Sequence, residues 1–415
     1  MELVNELFLD ALGASLQKKT VLWEESYTPD QWVQLFAVAS SHHVLPMVYE
    51  AVVHSPSACK ADSQIFAAAK KQTMQLVMLQ TVKTNAFLLM MKTLISAGLT
   101  PLVVKGIVCR ELYPYPDYRI SSDEDVIIPE EQFALCHEML LKHGMELADP
   151  SIDLNAHEIL YVQREGKMLI DLHNHLFPTE WEAYDAVNRC FEGVHQRAVI
   201  QTIQGVPLFT MNYTEHLFFL ISHSFKHFIG SGFGIRQVCD ICLFANAYGA
   251  QIDWVQVMAL CEEIRADLFA VALFRIGEKY LNFQPENACY PTKWKNTIVD
   301  EKAMLDDLLE AGVYGKSSVS RRYSYHLTLR AVSNLKKEKK SGNSIFKVVF
   351  PSAEYLADRY HYLKDRPYLL PIAWADRILK YSKETVAGSH GNSAAESLKI
   401  GNQRIELLRQ YGIID

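Results

Sequence analysis

Apolar residues recur at helical spacing at both ends of the chain. The clearest run covers 62–98, where Asp62 or Ser63 can cap the helix start and Gly98 stands where helices commonly end. After Asn212 the helical spacing returns and continues almost to the end of the chain. The pattern therefore predicts two helical regions on either side of a middle segment.

The middle segment alternates short apolar runs with turn residues, which is the pattern of strands joined by loops. LTPLVV at 99–104 and DEDVIIP at 123–129 predict two strands, with a short helix and a proline-rich connector between them. The next segment, 130–144, predicts an amphipathic helix with acids in its first turn. A hairpin ending in MLIDLHNHLF and two short strands around Gln204–Gly205 complete an α/β unit of about 110 residues.

Composition places the chain among globular proteins. Of its 415 residues, 49% are hydrophobic and 21% are charged, which excludes disorder throughout. The longest charge-free stretch, 31–49, carries glutamines, histidines and Pro46, so it does not suit a membrane interior. The N-terminus lacks a signal-peptide pattern, and the 8 cysteines have no framework spacing. We therefore expect a cytoplasmic protein with reduced thiols and no membrane partner.

Charge is unevenly distributed along the chain. The segment 321–383 contains 14 Lys and Arg against 5 Asp and Glu, whereas the net charge of the whole chain is −7. The remainder is therefore strongly acidic. A basic segment on an acidic protein can contact phosphates, but solvated helix faces are the commoner explanation. Both interpretations stay open.

Three aspartates form the most informative chemical pattern. Asp123 and Asp125 share one face of their predicted strand because side chains alternate, and Glu124 points to the other face. Asp171 lies on the later strand MLIDLHNHLF. Three carboxylates on neighbouring strands are costly unless a cation neutralises them, and Mg²⁺ is the natural occupant beside phosphates. The pattern predicts a Mg²⁺ site, and an ordinary acidic strand end with an unrelated Asp171 is the alternative.

A lysine and a glycine stand between the first predicted strand and the following helix. Gly106 would let the backbone approach a phosphate, and the helix N-terminus would offer free N–H donors. Lys105 would add a positive charge. A simple turn glycine explains the same residues.

The segment LVVKGIVCRELYPYPDYRISSDEDVIIP resembles a known order of motifs: Lys-Gly, helix, tyrosine, proline-containing loop, arginine, then Asp-x-Asp on a strand. That order is typical of uncharacterised bacterial nucleotidyltransferase-like proteins within the DNA polymerase β-like nucleotidyltransferase superfamily. MLIDLHNHL resembles the third-carboxylate strand of that family, and 37–52 and 366–378 resemble its terminal elements. The resemblance implies an α+β fold in which a small mixed-sheet nucleotidyltransferase core, 98–212, is flanked by helical regions at 1–97 and 213–415.

The resemblance also implies a role for each motif residue. Asp123, Asp125 and Asp171 would bind Mg²⁺, and Asp171 is also a candidate general base. Lys105 and Gly106 would lie at the phosphates. Arg119 would contact phosphate or steady its loop.

Two departures from the family pattern bear on these roles. Ile107 follows Gly106 where the superfamily commonly has a serine, which affects the phosphate contact. Glu124 stands where a hydrophobic residue is more usual, and it should face away from the metal.

Polar residues in the helical half form a second candidate group. His216, His223 and Lys226 recur at helical spacing, and Arg236 and Asp240 share a face of the next helix. The arrangement is similar to the second nucleotide-binding module of some nucleotidyltransferase-like toxins, in which such residues line the cleft. The similarity implies nucleotide contacts at Lys226, Arg236 and Asp240, and an internal Arg–Asp ion pair is the alternative.

These features together predict a Mg²⁺-dependent nucleotidyltransferase. It would transfer an NMP from an NTP, ATP by default, to a small-molecule, RNA or protein acceptor that the sequence does not identify. A toxin-like enzyme acting on tRNA or protein is one alternative, which the basic segment 321–383 would support. A non-catalytic nucleotide-binding or scaffold protein is the other, which the missing serine would support.

Overall fold

The computed structural model describes residues 2–163, 168–179, 184–230 and 232–312, and then 332, 353–356, 360, 362–376 and 394–414. The fold is mixed α+β, as the sequence predicts. Two compact units are present: Met1–Phe225 with Gly234–Leu305, and Lys226–Phe233 with Asp306–Asp415. The predicted three-part division at 97/98 and 212/213 stays a prediction. Within the described ranges, no helix is long and apolar enough to cross a membrane.

Four helices form the N-terminal part of the first unit: α1 (Leu3–Leu16), α2 (Pro29–Ser41), α3 (Leu45–Val52) and α4 (Ser63–Ser96). The Asp62 side chain accepts the N–H of Gln64 and so caps α4, as the sequence predicts. Gly98 follows the end of α4 with a φ of +85°, which only glycine adopts at little cost. At 34 residues, α4 is about 50 Å long, which is enough to run from these helices to the sheet.

One seven-stranded sheet lies in the first unit, in the order β3-β4-β5-β2-β1-β7-β6. Its strands are β1 (Leu102–Val104), β2 (Glu124–Ile127), β3 (Glu146–Leu147), β4 (Glu158–Gln163), β5 (Met168–His173), β6 (Val199–Ile203) and β7 (Val206–Thr210). The pairs β2–β5 and β1–β7 are parallel, and the other pairs are antiparallel. The strands that the sequence predicts are all present, and the two-residue edge strand β3 is additional.

Three short helices connect these strands. They are α5 (Gly106–Arg110), α6 (Phe133–Lys142) and α7 (Asp185–Cys190). The predicted helix over 130–144 is present as α6, preceded by one 3₁₀ turn and followed by Gly144 at a φ of +84°. Every residue of β1 and β2 is buried, because this part of the sheet is central and covered by helices on its faces.

Helices make up the rest of the described chain. They are α8 (Tyr213–Ile229), α9 (Ile235–Tyr248), α10 (Trp254–Glu263), α11 (Asp267–Tyr280), α12 (Thr292–Asn296) and α13 (Glu301–Ala311), followed by helical segments Ala353–Leu356, Tyr362–Asp365 and Ala394–Gln410. Much of the basic segment 321–383, including 321–331 and 333–352, lies outside the described residues.

The second unit has its own buried groups. Leu356, Tyr360, Leu363 and Ala373 form an apolar cluster. The buried Arg404 lies 3.0 Å from Asp307 and donates to backbone carbonyls within the same unit, so this charge is paired where water is excluded.

Candidate active site

The three aspartates of the sequence pattern lie together on the sheet. Asp125 on β2 stands directly opposite Asp171 on the parallel neighbour β5, and Asp123 immediately precedes β2. Burial, and to a smaller extent the nearby carboxylates of Asp123, Glu158 and Asp125, raises the pKa of Asp171 to about 8. Asp123 lies two residues before Asp125 and therefore shares its face of the sheet. The fold therefore concentrates negative charge where the sequence pattern places it.

Asp125 is neutralised by a lysine from the adjacent strand end. The Lys105 Nζ lies 2.7 Å from Asp125 Oδ2, and His173 Nε2 lies 3.4 Å from the other carboxylate oxygen. Burial alone would raise the pKa of Asp125, but Lys105 and His173 hold it well below its ordinary value. Asp125 is therefore an ionised carboxylate in a buried position.

Lys105 occupies a sharp turn between β1 and α5. Its backbone has a φ of 56° and a ψ of −112°, a region that side chains other than glycine seldom adopt. Two histidines of α8 hold it there: the Lys105 N–H donates to His216 Nε2 at 3.0 Å, and the Nζ lies 3.1 Å from His223 Nε2. These contacts direct the ammonium toward Asp125.

His216 is fixed in one neutral form by its partners. The Thr210 hydroxyl donates to the Val103 carbonyl at 2.7 Å, so its oxygen accepts from His216 Nδ1 at 3.3 Å. Burial lowers the pKa of His216 to about 3, and Asp240 only partly opposes this effect. A neutral ring leaves Nε2 free of a proton and able to accept the Lys105 N–H.

Gly106 lies against a carboxylate of the protein itself, and its implied position at the phosphates stays a prediction. The Glu124 carboxylate lies against Gly106 and accepts the N–H of Ile107 at 2.8 Å. A Cβ at Gly106 would lie 2.9 Å from the Glu124 Cδ and closer still to its oxygen. The start of α5 is thus occupied by a carboxylate of the protein itself, and Gly106 makes room for that carboxylate.

A buried polar network surrounds Glu124. Arg110, which is fully buried, donates to Glu124, to the Ser121 hydroxyl at 2.6 Å and to the Thr84 hydroxyl at 3.1 Å. Gln80 of α4 accepts the Ser121 N–H at 2.8 Å. Glu124 faces away from the aspartates, as the sequence predicts, and its network fixes the loop before Asp123.

Lys83 is a site neighbour that the sequence reasoning missed. Its Nζ donates to the carbonyls of Ser121 and Ser122, at 3.2 and 3.3 Å, immediately before Asp123. Burial lowers the pKa of Lys83, although Glu124 and Asp123 favour its charged form. No local motif signals this residue, because it reaches the loop from a helix almost 40 positions earlier in the chain.

Arg119 and Asp240 bind each other. The Arg119 Nε and Nη2 donate to the two Asp240 oxygens at 2.8 and 2.6 Å, and Tyr113 donates to the same carboxylate at 2.7 Å. Both charged residues are almost completely buried. This internal ion pair steadies the loop that carries Arg119, which is one of the two roles implied for that residue. Nucleotide contacts by Arg119 and Asp240 stay predictions.

The other two predicted cleft residues are placed differently. Arg236 is buried at the start of α9 and donates to the Ile120 carbonyl, so it also anchors the loop that carries Arg119. Lys226 lies in the last turn of α8 and belongs to the second compact unit. A triphosphate contact by Lys226 stays a prediction.

The fit of a metal ion to this site depends on the carboxylates of the three aspartates. Across the described ranges, no group of three or more His, Cys, Asp or Glu side chains is arranged as a metal site. The chemistry of the donors still suits a hard cation, because Asp123, Asp125 and Asp171 bring carboxylate oxygens to one face of two neighbouring strands. Oxygen donors that share a face in this way repel one another and are stabilised when a divalent cation binds them.

A cavity opens beside the ends of the two parallel strands. Its volume is about 580 Å³, and its lining includes Ile127 of β2, Asn174 and His175 after β5, and Arg189 and His195 farther along the chain. Ligands of sheets with parallel strands commonly bind beyond the carboxyl ends of those strands. The size is within the range of small-molecule sites.

Comparison with known proteins identifies the class of this chain. Residues 28–282 match the family described as an uncharacterised nucleotidyltransferase, a match that spans more than half of the chain. The chain therefore belongs to this nucleotidyltransferase family. No curated protein matches the chain significantly. It is similar to an antigenic nucleotidyltransferase-like protein from Paracoccidioides brasiliensis, at 15% identity and a TM-score of 0.32, over 50% of this chain and 93% of that one.

Proposed function

We propose that this protein is a Mg²⁺-dependent nucleotidyltransferase that transfers an NMP from an NTP to a hydroxyl or related nucleophile of an acceptor. The observation that carries the proposal is the parallel register that sets Asp125 opposite Asp171, with Asp123 two residues before Asp125 on the same face. Membership of a nucleotidyltransferase family supports the reaction class. ATP is the default donor.

In this proposal the protein contributes mainly position and charge. Asp123, Asp125 and Asp171 would hold Mg²⁺, which supplies neutralisation of phosphate charge when bound. Two of the carboxylates are carried on strands of the central sheet, so their positions are fixed before substrate binds. Lys105 would place a fixed positive charge beside the phosphates, and Asp171 would accept the proton of the attacking group.

The cavity beside β2 and β5 is the proposed acceptor site. It starts at Ile127, two residues after Asp125, and includes Asn174, three residues after Asp171. Its mixed lining, with Arg189 and His195 beside Asp185 and Glu192, suits a polar acceptor.

Calorimetric titration with each of the four NTPs, with and without Mg²⁺, tests the proposal directly. We expect Mg²⁺-dependent binding of at least one NTP to the wild type and loss of that binding in the Asp123→Asn/Asp125→Asn double variant. Glu138→Gln, an exposed acid on α6, is the matched control and should bind as the wild type does. Unchanged binding by the double variant would refute the assignment of the carboxylates.

A second candidate is a nucleotide-binding protein without turnover. It is favoured by Glu124, which occupies the start of α5 where the superfamily commonly contacts phosphate, and by Ile107 in place of serine. NTP binding without pyrophosphate release across many acceptors would support it. The toxin-like alternative stays a prediction; a steep salt dependence of tRNA binding would favour it.

A further inference from the structure

The candidate site combines three carboxylates with one lysine. Asp125 lies 2.7 Å from the Lys105 ammonium, with His173 on its other oxygen. Asp171 lies opposite Asp125 on the neighbouring strand, and Asp123 lies two residues before Asp125 on the same face. One carboxylate of the three is therefore already neutralised by a cation that belongs to the chain.

Lys105 is held in this position by several independent contacts. Its side chain is only 14% exposed, and its ammonium contacts both Asp125 and His223. Its backbone adopts a strained conformation that persists because His216 accepts its N–H. A surface lysine that pairs with a carboxylate by chance would have neither the strained turn nor the two histidines of α8.

The position of the ammonium conflicts with a second metal ion. Two-metal sites for phosphoryl chemistry hold their ions about 3.5–4 Å apart, bridged by shared carboxylates. The Lys105 Nζ lies 2.7 Å from Asp125 Oδ2. This oxygen therefore already contacts a cation, whereas a bridging carboxylate would use it to bind a metal ion. Asp123 and Asp171, in contrast, lie on the same face of two neighbouring strands, where a single divalent ion would neutralise both acids.

We propose that the Lys105 ammonium permanently takes one of the two cation positions at this site, so that each chain binds a single divalent ion, held chiefly by Asp123 and Asp171. The proposal rests on the proposed function, because it assumes that the aspartates bind a divalent metal. It assigns Lys105 as the fixed cation of the site.

Counting bound Mn²⁺ by electron paramagnetic resonance on the full chain tests this proposal without measuring activity. We expect one ion on the wild type and two on Lys105→Met, because loss of the ammonium opens the second position. Lys105→Arg keeps the positive charge and should again bind one ion. Lys92→Met removes an exposed lysine of α4 and is the matched control, with one ion expected.

A second neutral variant keeps the test usable if Lys105→Met does not fold. That change leaves the buried Asp125 without its ion pair, which is strongly destabilising in most proteins. Lys105→Gly removes the same charge but relieves the positive φ, so it should fold better and should also bind two ions.

The counts separate failure of this proposal from failure of the proposed function. No ion on the wild type and none on either neutral variant would contradict metal-dependent function itself. Two ions on the wild type, or one ion on the wild type and on both neutral variants, would overturn the role of Lys105 alone. No ion on the wild type with one on the neutral variants would also overturn it, because one position should be open in the wild type.

Discussion

The replacement of Gly106 by alanine gives a quantitative test of the buried network. The new Cβ would lie 2.9 Å from the Glu124 Cδ and closer to its oxygen, so the carboxylate must move. Such movement is cheap for a free side chain, but Glu124 is buried and is held by Ile107, Arg110 and Ser121. The displaced carboxylate would leave a fully buried arginine without its counter-charge.

The expected loss follows from two opposing contributions. Breaking a buried ion pair costs about 3–5 kcal/mol. Alanine is favoured over glycine within a helix by up to about 1 kcal/mol, which offsets part of the loss. We therefore expect Gly106→Ala to lower the free energy of unfolding by about 2–4 kcal/mol, measured by urea denaturation followed by tryptophan fluorescence.

Two further variants make the measurement decisive. Gly144→Ala meets no atom within 4 Å and should cost only the left-handed backbone conformation, about 1–2 kcal/mol. In a Glu124→Ala background, Gly106→Ala should add no further loss, because the clashing group is gone. A Gly106→Ala protein as stable as the wild type, or more stable, would refute the reasoning.

Other predictions follow from the buried charges. Arg119→Met should lower the free energy of unfolding by about 3–5 kcal/mol, and Arg119→Met/Asp240→Leu should recover most of it; equal losses would contradict the ion pair. The pKa of Asp171 is about 8 in the folded state and near 3.8 in the unfolded state. The folded state therefore binds the extra proton, and the melting temperature of the metal-free protein should fall as the pH rises from about 4 to about 8. The melting temperature of Asp171→Asn should fall less over this pH range, and parallel curves of melting temperature against pH for variant and wild type would contradict the prediction. In NMR titration His216, whose pKa is lowered to about 3, should stay neutral; a transition near 6.5 would contradict its burial.

Local pattern was enough to predict two neighbouring strands at the centre of the sheet. LTPLVV and DEDVIIP are short, apolar and bounded by turn residues, and they form β1 and β2. Side-chain alternation also gave the correct face for Glu124, because a strand fixes that relation within three residues. The edge strand β3 was not predicted, because a strand of two residues is too short to show an alternating pattern.

Contacts between distant residues could not be predicted in the same way. Helical spacing placed Arg236 and Asp240 on one face of a helix, as cleft residues or as part of an internal Arg–Asp ion pair between two helices. In the structure, Asp240 pairs with Arg119 and Arg236 donates to Ile120, so both anchor the loop before β2. The spacing of His216 and His223 was visible in the sequence, but their common partner, Lys105, was not.

The strained turn at Lys105 has a consequence for the order in which the protein folds. The groups that hold the turn lie 111 and 118 residues later in the chain, on α8. Closing such long loops is slow, because the chain loses conformational entropy before the stabilising contacts form. During synthesis the strands β1 and β2 therefore leave the ribosome well before α8 exists, and the turn can take its final conformation only after that helix docks. The final position of Lys105 is therefore reached in a late step of folding. A chain truncated before α8 would contain all three aspartates but would lack the contacts that hold Lys105 beside Asp125.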